Sequence, residues 1–135
     1  MRNFPKLLTV AVVALAAVIA PTTAAHADAN GCTQLGSWIT DSVCIAVVGK
    51  GQYVKTATAK LLAPIGKPCN TKLYITFFDL KQTKYSQSIS ASDSKCQSAR
   101  FHTQSYYATM RVGRVCAAVS INGAMKLGAC VSIVK

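Results

Sequence analysis

Cysteine is the residue type whose number and placement most directly specify chemistry in this chain, which contains six of them. An even number of cysteines in an exported chain is typical of disulfides, because an oxidising compartment keeps them paired. The sequence therefore predicts three disulfides. Six cysteines allow many connectivities, but locality favours pairing each cysteine with the next one, which gives Cys32–Cys44, Cys69–Cys96 and Cys116–Cys130.

A zinc site is the alternative use of cysteine. Structural zinc needs ligands at short, regular spacing such as Cys-x-x-Cys. The chain has no Cys-x-x-Cys, and the only histidine of the predicted mature part, His102, has no neighbouring ligand at a recognised spacing. We therefore expect neither a bound metal nor any other cofactor.

Hydrolytic chemistry has few candidate residues in this sequence. His102 could act as the general base for a serine, but no Gly-x-Ser-x-Gly turn is present, and the residue is interpreted as a strand residue on the solvent face. Asp79 and Asp93 could form the carboxylate pair of a glycosidase. Both are interpreted as turn residues, because Asp79 precedes a turn and Asp93 lies in a serine-rich loop. The chain is predicted not to be an enzyme.

The first 27 residues match a secretory signal peptide. Arg2 and Lys6 form a positive start, Leu7 to Ala20 is an uncharged apolar run, and Ala25-His26-Ala27 fits the small-x-small cleavage pattern. The apolar run is shorter than the roughly 20 residues that a membrane-spanning helix needs. We therefore expect the leader to be cleaved and the product to be secreted, extracellular and without stable membrane insertion.

The predicted mature chain, residues 28–135, is long enough for one domain and is strongly cationic. The full sequence has 15 Lys and Arg and 4 acidic residues, and the leader removes Arg2 and Lys6, which leaves 13 basic against 4 acidic residues and a formal net charge of +9. Such a surface favours acidic partners. The basic residues are spread along the chain, so a solvated surface explains them equally well. Nucleic acid is not expected as a partner, because the location is extracellular.

The C-terminal stretch predicts a β-hairpin around Asn122-Gly123, a dipeptide that readily adopts φ > 0. If the loop extends to a third residue, Cys116 faces Cys130 across the ladder, close to disulfide reach. A two-residue Asn-Gly turn would instead place Cys116 opposite Ala129. We expect the three-residue loop, because turn and cysteine spacing then agree.

Short segments that alternate or are rich in β-branched residues predict an all-β chain. The strands predicted before the hairpin are Ser42 to Val48, Gln52 to Leu62, Lys72 to Leu80, Tyr85 to Ser90 and Arg100 to Arg111. Lys72 to Leu80 has apolar residues on both faces and is expected to be central, whereas the polar Tyr85 to Ser90 is expected at an edge. About seven strands at this spacing indicate a small antiparallel β-sandwich stapled by three disulfides.

Several short motifs give the chain a resemblance to a known group of proteins. They are C-I-x-V-x-G-x-G-x-x-V from Cys44 to Val54, Cys69-Asn70, Phe77-Phe78-Asp79, and R-x-G-x-V-C-A followed by N-G and A-C-V-S-I from Arg111 to Ile133. The pattern resembles small exported actinobacterial proteins with a signal peptide and three disulfides, a group that includes the adaptor subunits of umbrella toxin particles. The resemblance covers most of the predicted mature chain, through cysteines, turn glycines and a hairpin.

The resemblance implies a secreted, non-enzymatic adaptor that links a lectin-like subunit to a large repeat-containing polymorphic toxin in an antibacterial particle. In that group the leading segment docks into a partner cleft, and Asp28 to Thr33 occupies the corresponding place here, without a residue-by-residue match.

The leading segment of the predicted mature chain, Asp28 to Gly36, is interpreted as an exposed arm pinned by Cys32. The candidate partner-binding residues are Asp28, Ala29, Asn30 and Gly31 in this arm, with Leu35 and Trp38 as anchors. The alternative function is a small cationic secreted effector, either an antimicrobial or a hydrolase inhibitor.

Overall fold

Eight antiparallel strands form two sheets in residues 29–36 and 41–135, the part of the chain that the computed structural model describes. At Leu127 the description covers the backbone alone. The strands are β1 (Ala29–Gln34), β2 (Ser42–Lys50), β3 (Tyr53–Leu62), β4 (Thr71–Asp79), β5 (Lys84–Ile89), β6 (Ala99–Thr109), β7 (Gly113–Ile121) and β8 (Ala124–Ile133). The predicted leader (1–27), Asp28 and Trp38 lie outside the described residues.

The two sheets pack face to face, which confirms the predicted antiparallel β-sandwich. The first sheet has the strand order β1-β2-β3-β6 and the second β5-β4-β7-β8. Successive side chains of a strand point to opposite faces, so alternate residues of the inner strands fill the core. Fully buried members of that core include Ile45, Leu61, Leu73, Phe77 and Val119. The residues between them along each strand therefore form two outer faces.

The five strands predicted before the hairpin are all present, with ends that differ by at most two residues. β4 is flanked by β5 and β7 and is central in its sheet, and β5 lies at an edge, as predicted. The outer side of β4 is covered only in part, because Tyr74 and Phe78 remain partly exposed there. No helix in the described residues is long and apolar enough to cross a membrane.

All six cysteines form the three predicted disulfides, Cys32–Cys44, Cys69–Cys96 and Cys116–Cys130. The first joins β1 to β2 and the third joins β7 to β8, while the second ties the loop after β3 to the loop before β6. The cysteines are thus occupied, and within the described residues no group of three or more His, Cys, Asp or Glu side chains is placed to hold a metal ion.

The β7–β8 hairpin has the predicted turn but not the predicted loop length. Ile121 pairs with Ala124, so Asn122-Gly123 is a two-residue turn. Both turn residues have positive φ, 51° and 79°, which is the geometry of a type I′ turn and follows the twist of the flanking strands. The expected three-residue loop is therefore wrong.

Cys116 nevertheless faces Cys130, because a bulge in the ladder shifts the register by one residue between Cys116 and Ala118. Gly128 lies at this bulge. A Cβ at Gly128 would be 1.9 Å from the carbonyl oxygen of Ala117, so a larger residue would displace backbone. The bulge, and not the turn, supplies the one-residue offset that brings Cys116 opposite Cys130.

The leading segment is a strand and not a free arm, so that prediction is wrong for residues 29–34. β1 pairs with β2 along its whole length as an edge strand of the first sheet. Its inner side packs against β8, where a Cβ on Gly31 would lie 3.1 Å from the carbonyl oxygen of Cys130. β1 is therefore an eighth strand, placed by close contact with a segment about a hundred positions later in the chain.

Candidate functional site

The His102 side chain points inward, towards the neighbouring edge strand of the other sheet, so its predicted solvent-facing position is wrong. β6 carries it opposite Ala59 of β3, where the ring is partly buried. The ring Nε2 lies 2.8 Å from the hydroxyl oxygen of Ser88 on β5, and this hydroxyl donates to Gln104 Oε1 at 3.2 Å. These three side chains join an edge of one sheet to an edge of the other, and we call them the polar seam.

One arrangement of protons satisfies all three side chains of the polar seam. In it the single proton of the Ser88 hydroxyl goes to Gln104 Oε1, and His102 Nε2–H donates to the Ser88 oxygen. A serine nucleophile needs the opposite polarity, in which the hydroxyl donates to the imidazole. The polar seam in this arrangement links the sheets and does not activate Ser88.

Burial and a neighbouring positive charge both lower the pKa of His102. Burial disfavours the charged imidazole and lowers the pKa of His102 below its ordinary value of 6.5, and the positive charge of Arg100 lowers that pKa further. Arg100 is held beside the ring, since its Nη1 donates to the Thr71 carbonyl oxygen and to Thr71 Oγ1. His102 is therefore neutral at neutral pH.

The lowered pKa of His102 predicts a loss of stability in mild acid. The unfolded chain takes up the proton near pH 6.5, whereas the folded chain takes it up only at lower pH. Between these two values the unfolded state holds more protons, so the free energy of unfolding falls as the pH falls. We expect the melting temperature to drop more between about pH 7 and about pH 5 in the unaltered protein than in His102→Gln.

A second side chain with a lowered pKa in the described residues, that of Asp93, affects stability in a different pH range. Asp93 also has a lowered pKa, first because the backbone N–H of Lys95 donates to it, but its stabilising effect is lost only as the pH falls below its ordinary value of 3.8. Equal drops in melting temperature for the two proteins over the milder range would contradict the assignment to His102.

The two aspartates considered for glycosidase chemistry lie at opposite ends of β4. Asp79 ends the strand, while Asp93 bridges to Thr71 at its start. The two ends are eight residue steps apart along extended strand, about 26 Å at roughly 3.3 Å per residue. Paired glycosidase carboxylates stand about 5–10 Å apart. These two residues therefore cannot act on one glycosidic bond.

Both aspartates cap turns, as predicted from the sequence. Asp79 Oδ1 accepts hydrogen bonds from the backbone N–H groups of Lys81 and Thr83, each at 2.9 Å. Asp93 Oδ1 accepts one from the backbone N–H of Lys95 at 2.9 Å. Their carboxylates are thus used by the backbone next to them.

A polar cleft of about 660 Å³ opens beside Asp93 on the outer side of the second sheet. Tyr74 and Lys72 of β4 form part of its floor, and Asn70 and Asn122 form part of its rim. The two asparagine side chains already bond to each other, Nδ2 to Oδ1 at 2.8 Å. The lining of the cleft is polar, and its one carboxylate, that of Asp93, already accepts a hydrogen bond from the backbone N–H of Lys95.

The outer face of the first sheet has a different character. The register of the ladders places the following side chains on it: Asn30, Cys32 and Gln34 of β1, Ser42, Cys44, Ala46 and Val48 of β2, Thr56, Thr58, Lys60 and Leu62 of β3, and Ala99, Phe101, Thr103 and Ser105 of β6. We call this surface the uncharged face, because Lys60 is the one charged residue among these positions.

Threonine and apolar side chains dominate the uncharged face. Thr58 and Thr103 lie opposite each other and their hydroxyl oxygens are 2.9 Å apart. Phe101 is 59% exposed and Val48 is 48% exposed. The outer face of the second sheet, by contrast, carries Lys72, Lys84 and Arg114. Positive charge is therefore unevenly distributed between the two faces.

Of the predicted partner-binding residues, Asn30 lies on the uncharged face, at its β1 edge. Ala29 and Gly31 point instead to the inner side of β1. Leu35 follows β1, packs against the core, and its N–H donates to the Asp41 carbonyl oxygen at 2.7 Å. Asp28 and Trp38 lie outside the described residues. The structure thus places one of the six candidates on a continuous outer surface.

Sequence reasoning missed most of the uncharged face. Its residues come from four strands, and their neighbourhood depends on the order β1-β2-β3-β6, which local alternation does not reveal. One signal was available: the outward positions of Gln52 to Leu62 and Arg100 to Arg111 are largely Thr, Ser and Phe in a chain rich in lysine. Comparisons of the chain with protein-family models, with curated proteins and with solved structures found no match.

Proposed function

We propose that the protein is a secreted, non-enzymatic adaptor that binds a protein partner through the uncharged face. The observation that carries this proposal is the low charge of that face, where Lys60 is the one charged residue, in a chain with a formal net charge of +11 over its full length. Cores of protein interfaces are depleted in charged residues and enriched in aromatic ones, while lysine-rich surfaces remain solvated. Three disulfides support an oxidising, extracellular location.

The surroundings of the uncharged face define the chemistry of the partner. Phe101, Val48 and Leu62 provide exposed apolar area, and threonine hydroxyls between them provide hydrogen bonds. Lys50 and Lys55 are exposed beside the face. A partner with an uncharged centre and an acidic rim matches this arrangement, because rim charges of opposite sign speed association and fix orientation.

The leading segment contributes to this proposal as an edge strand instead of a free arm. β1 borders the uncharged face as an edge strand and contributes Asn30 to it. An edge strand also offers backbone groups to which an extended partner segment can add. The finer proposal is that the adaptor links a lectin-like subunit to a large repeat-containing toxin, and it requires two proteins to be bound at the same time.

A charge placed in the uncharged face is expected to abolish partner capture. Phe101→Glu would remove the exposed aromatic side chain and put a carboxylate in the interface beside Lys60, and we expect partner affinity to fall at least about tenfold. The matched control is Ile89→Glu, which places the same charge at a residue that is 50% exposed on the other sheet. The measurement is quantitative mass spectrometry of extracellular proteins retained by each immobilised variant, followed by titration calorimetry with the purified partner.

The result that supports the proposal is a protein retained by the unaltered chain and by Ile89→Glu but lost with Phe101→Glu. Equal retention by both variants would show that the uncharged face is not the binding surface. The adaptor role has its own requirement, since the captured protein must leave the chain able to bind a second, different protein. Failure of such a ternary complex to form on size exclusion would reduce the function to simple binding.

A small cationic effector is the second candidate. The observation that favours it is the positive charge of Lys81, Lys84, Arg111 and Arg114 near one end of the sandwich. An effector that acts through charge keeps its activity in Phe101→Glu and loses it at high salt, where the Debye length falls to about 3 Å at 1 M. The two functions therefore respond in opposite ways to one substitution.

A further inference from the structure

One end of the sandwich gathers positive charge beside exposed apolar side chains. This end, which we call the turn end, contains the turns at 50–52, 80–83 and 110–112 and the residues after β8. The turns contact one another: the Met110 N–H donates to the Gln52 carbonyl oxygen at 2.8 Å, and the Arg111 N–H donates to the Tyr85 hydroxyl at 3.1 Å. The turn end is thus one continuous surface.

The positive charge of the turn end is held in place by aromatic rings. Lys84, Phe78 and Arg114 form one row across β5, β4 and β7. The Arg114 guanidinium lies 5.2 Å from the centre of the Phe78 ring, and that of Arg111 lies 5.0 Å from the Tyr85 ring. A guanidinium stacked on a ring keeps its N–H edge free for an oxyanion such as a phosphate.

The acidic side chain at the turn end is used by the backbone. The Asp79 carboxylate accepts hydrogen bonds within the 80–83 turn and so fixes its shape. Leu80, at the tip of this turn, is 72% exposed, which makes it the most exposed large apolar residue among those described. Lys81 follows it directly. A rigid tip therefore carries an apolar side chain beside lysine.

Tyr107 is a second exposed apolar group near the same end. It has a φ of 46°, a left-handed conformation that is uncommon for residues with a side chain. This residue lies at a bulge in β6 opposite Lys55, where Tyr106 packs against the core and Tyr107 is 65% exposed. Strained, exposed residues of this kind point to function, because packing gains nothing from them.

We propose that the turn end docks on the headgroup region of an anionic membrane. Lysine and arginine are attracted to anionic headgroups, and tyrosine is favoured at the membrane interface. Leu80 enters the boundary between headgroups and acyl chains, where a short apolar side chain adds affinity without crossing the bilayer. A soluble polyanion would need the charge alone. The exposure of Leu80 and Tyr107 beside the charge is what selects a lipid surface.

The turn end borders the uncharged face at Lys50, but Leu80, Lys81 and Lys84, which the test changes, belong to the second sheet and its turn. Phe101→Glu, which tests the adaptor function, is therefore expected to leave membrane binding within about twofold of the unaltered protein, since Phe101 lies outside the turn end. Failure of one proposal leaves the other standing.

The test is sedimentation of the purified protein with phosphatidylcholine vesicles that contain either no anionic lipid or about 30 mol % phosphatidylglycerol. We expect binding to the anionic vesicles only. Lys81→Glu/Lys84→Glu is expected to weaken it at least about tenfold, because both charges change sign at the surface. Leu80→Ser is expected to weaken it roughly fivefold through the lost apolar contact, while binding to inorganic polyphosphate stays unchanged.

The matched control is Lys95→Glu/Lys126→Glu, which makes the same change in net charge at exposed residues near the opposite end of the sandwich. Vesicle binding is expected to fall much less in this control, because a docked surface acts locally. Equal loss in the two double variants would overturn the proposal in favour of net charge. Leu80→Ser with unchanged vesicle binding would also overturn it, in favour of a soluble polyanion.

Discussion

Replacing Phe77 with alanine is expected to lower the free energy of unfolding by about 3–5 kcal/mol. Phe77 is completely buried between the sheets and has the largest of the fully buried side chains in the described residues. Its ring packs against those of Tyr106 and Tyr85, with centroid distances of 5.0 Å and 6.1 Å. Alanine would leave a cavity that the two sheets cannot close, since both are fixed by disulfides and ladders. Urea unfolding followed by circular dichroism measures the change.

Phe78 provides the matched control for this substitution. It is the next residue on β4 and has the same side chain, but it lies on the outer face under Arg114 and is partly exposed. Phe78→Ala is expected to cost roughly 1 kcal/mol, from partial burial and one cation–π contact. Equal costs for Phe77→Ala and Phe78→Ala would show that the core does not lie between the two sheets as described.

Removing the hairpin disulfide is expected to have the second largest effect. Cys116→Ala/Cys130→Ala should lower the free energy of unfolding by about 2–4 kcal/mol, because the unfolded chain regains the freedom of the loop that the bridge closes. The cysteines are 14 positions apart in sequence and face each other across β7 and β8. The measurement is again urea unfolding, under oxidising conditions so that the other two bridges stay intact.

The control for the disulfide is the neighbouring cross-strand pair. Arg114→Ala/Ser132→Ala alters two facing residues of the same strands without touching a cross-link, and it is expected to cost less than about 1 kcal/mol. A cost below about half a kcal/mol for the cysteine pair would contradict the stabilising role of the bridge.

The strands could be predicted because a period of two in the side chains reflects one buried face, and this signal is local. β4 and the hairpin are clear cases. β1 could not be predicted in this way. Its residues are small and polar, and it becomes a strand because β2 pairs with it and because Gly31 allows β8 to approach from the other sheet.

The hairpin shows how a correct contact can follow from an incorrect step. The pairing of Cys116 with Cys130 was predicted, yet the offset that permits it lies at Gly128 and not in the turn. A glycine within a strand is a known sign of a bulge or a close approach. The spacing of the turn and the cysteines shows that one extra residue is needed in β8 or its turn. Where this extra residue lies depends on which backbone groups come close in the folded sheet.

The position of His102 was predicted wrongly because β6 inverts the usual pattern. Its apolar Phe101 points outward and its polar His102 and Gln104 point inward, towards Ser88 of β5. An inward polar residue is acceptable when a partner satisfies it, and the partner here lies on another sheet. The same reason limits the candidate site: the uncharged face exists only when four strands lie side by side.

The disulfide connectivity has a consequence for how the chain is made. Each bridge joins a cysteine to the next one in sequence, so no bridge encloses or crosses another. A chain that leaves an export channel N-terminus first, as its predicted signal peptide implies, exposes each pair in order. Oxidation in that order would therefore pair each cysteine with its native partner before the next pair emerges, and no bridge would have to be reshuffled.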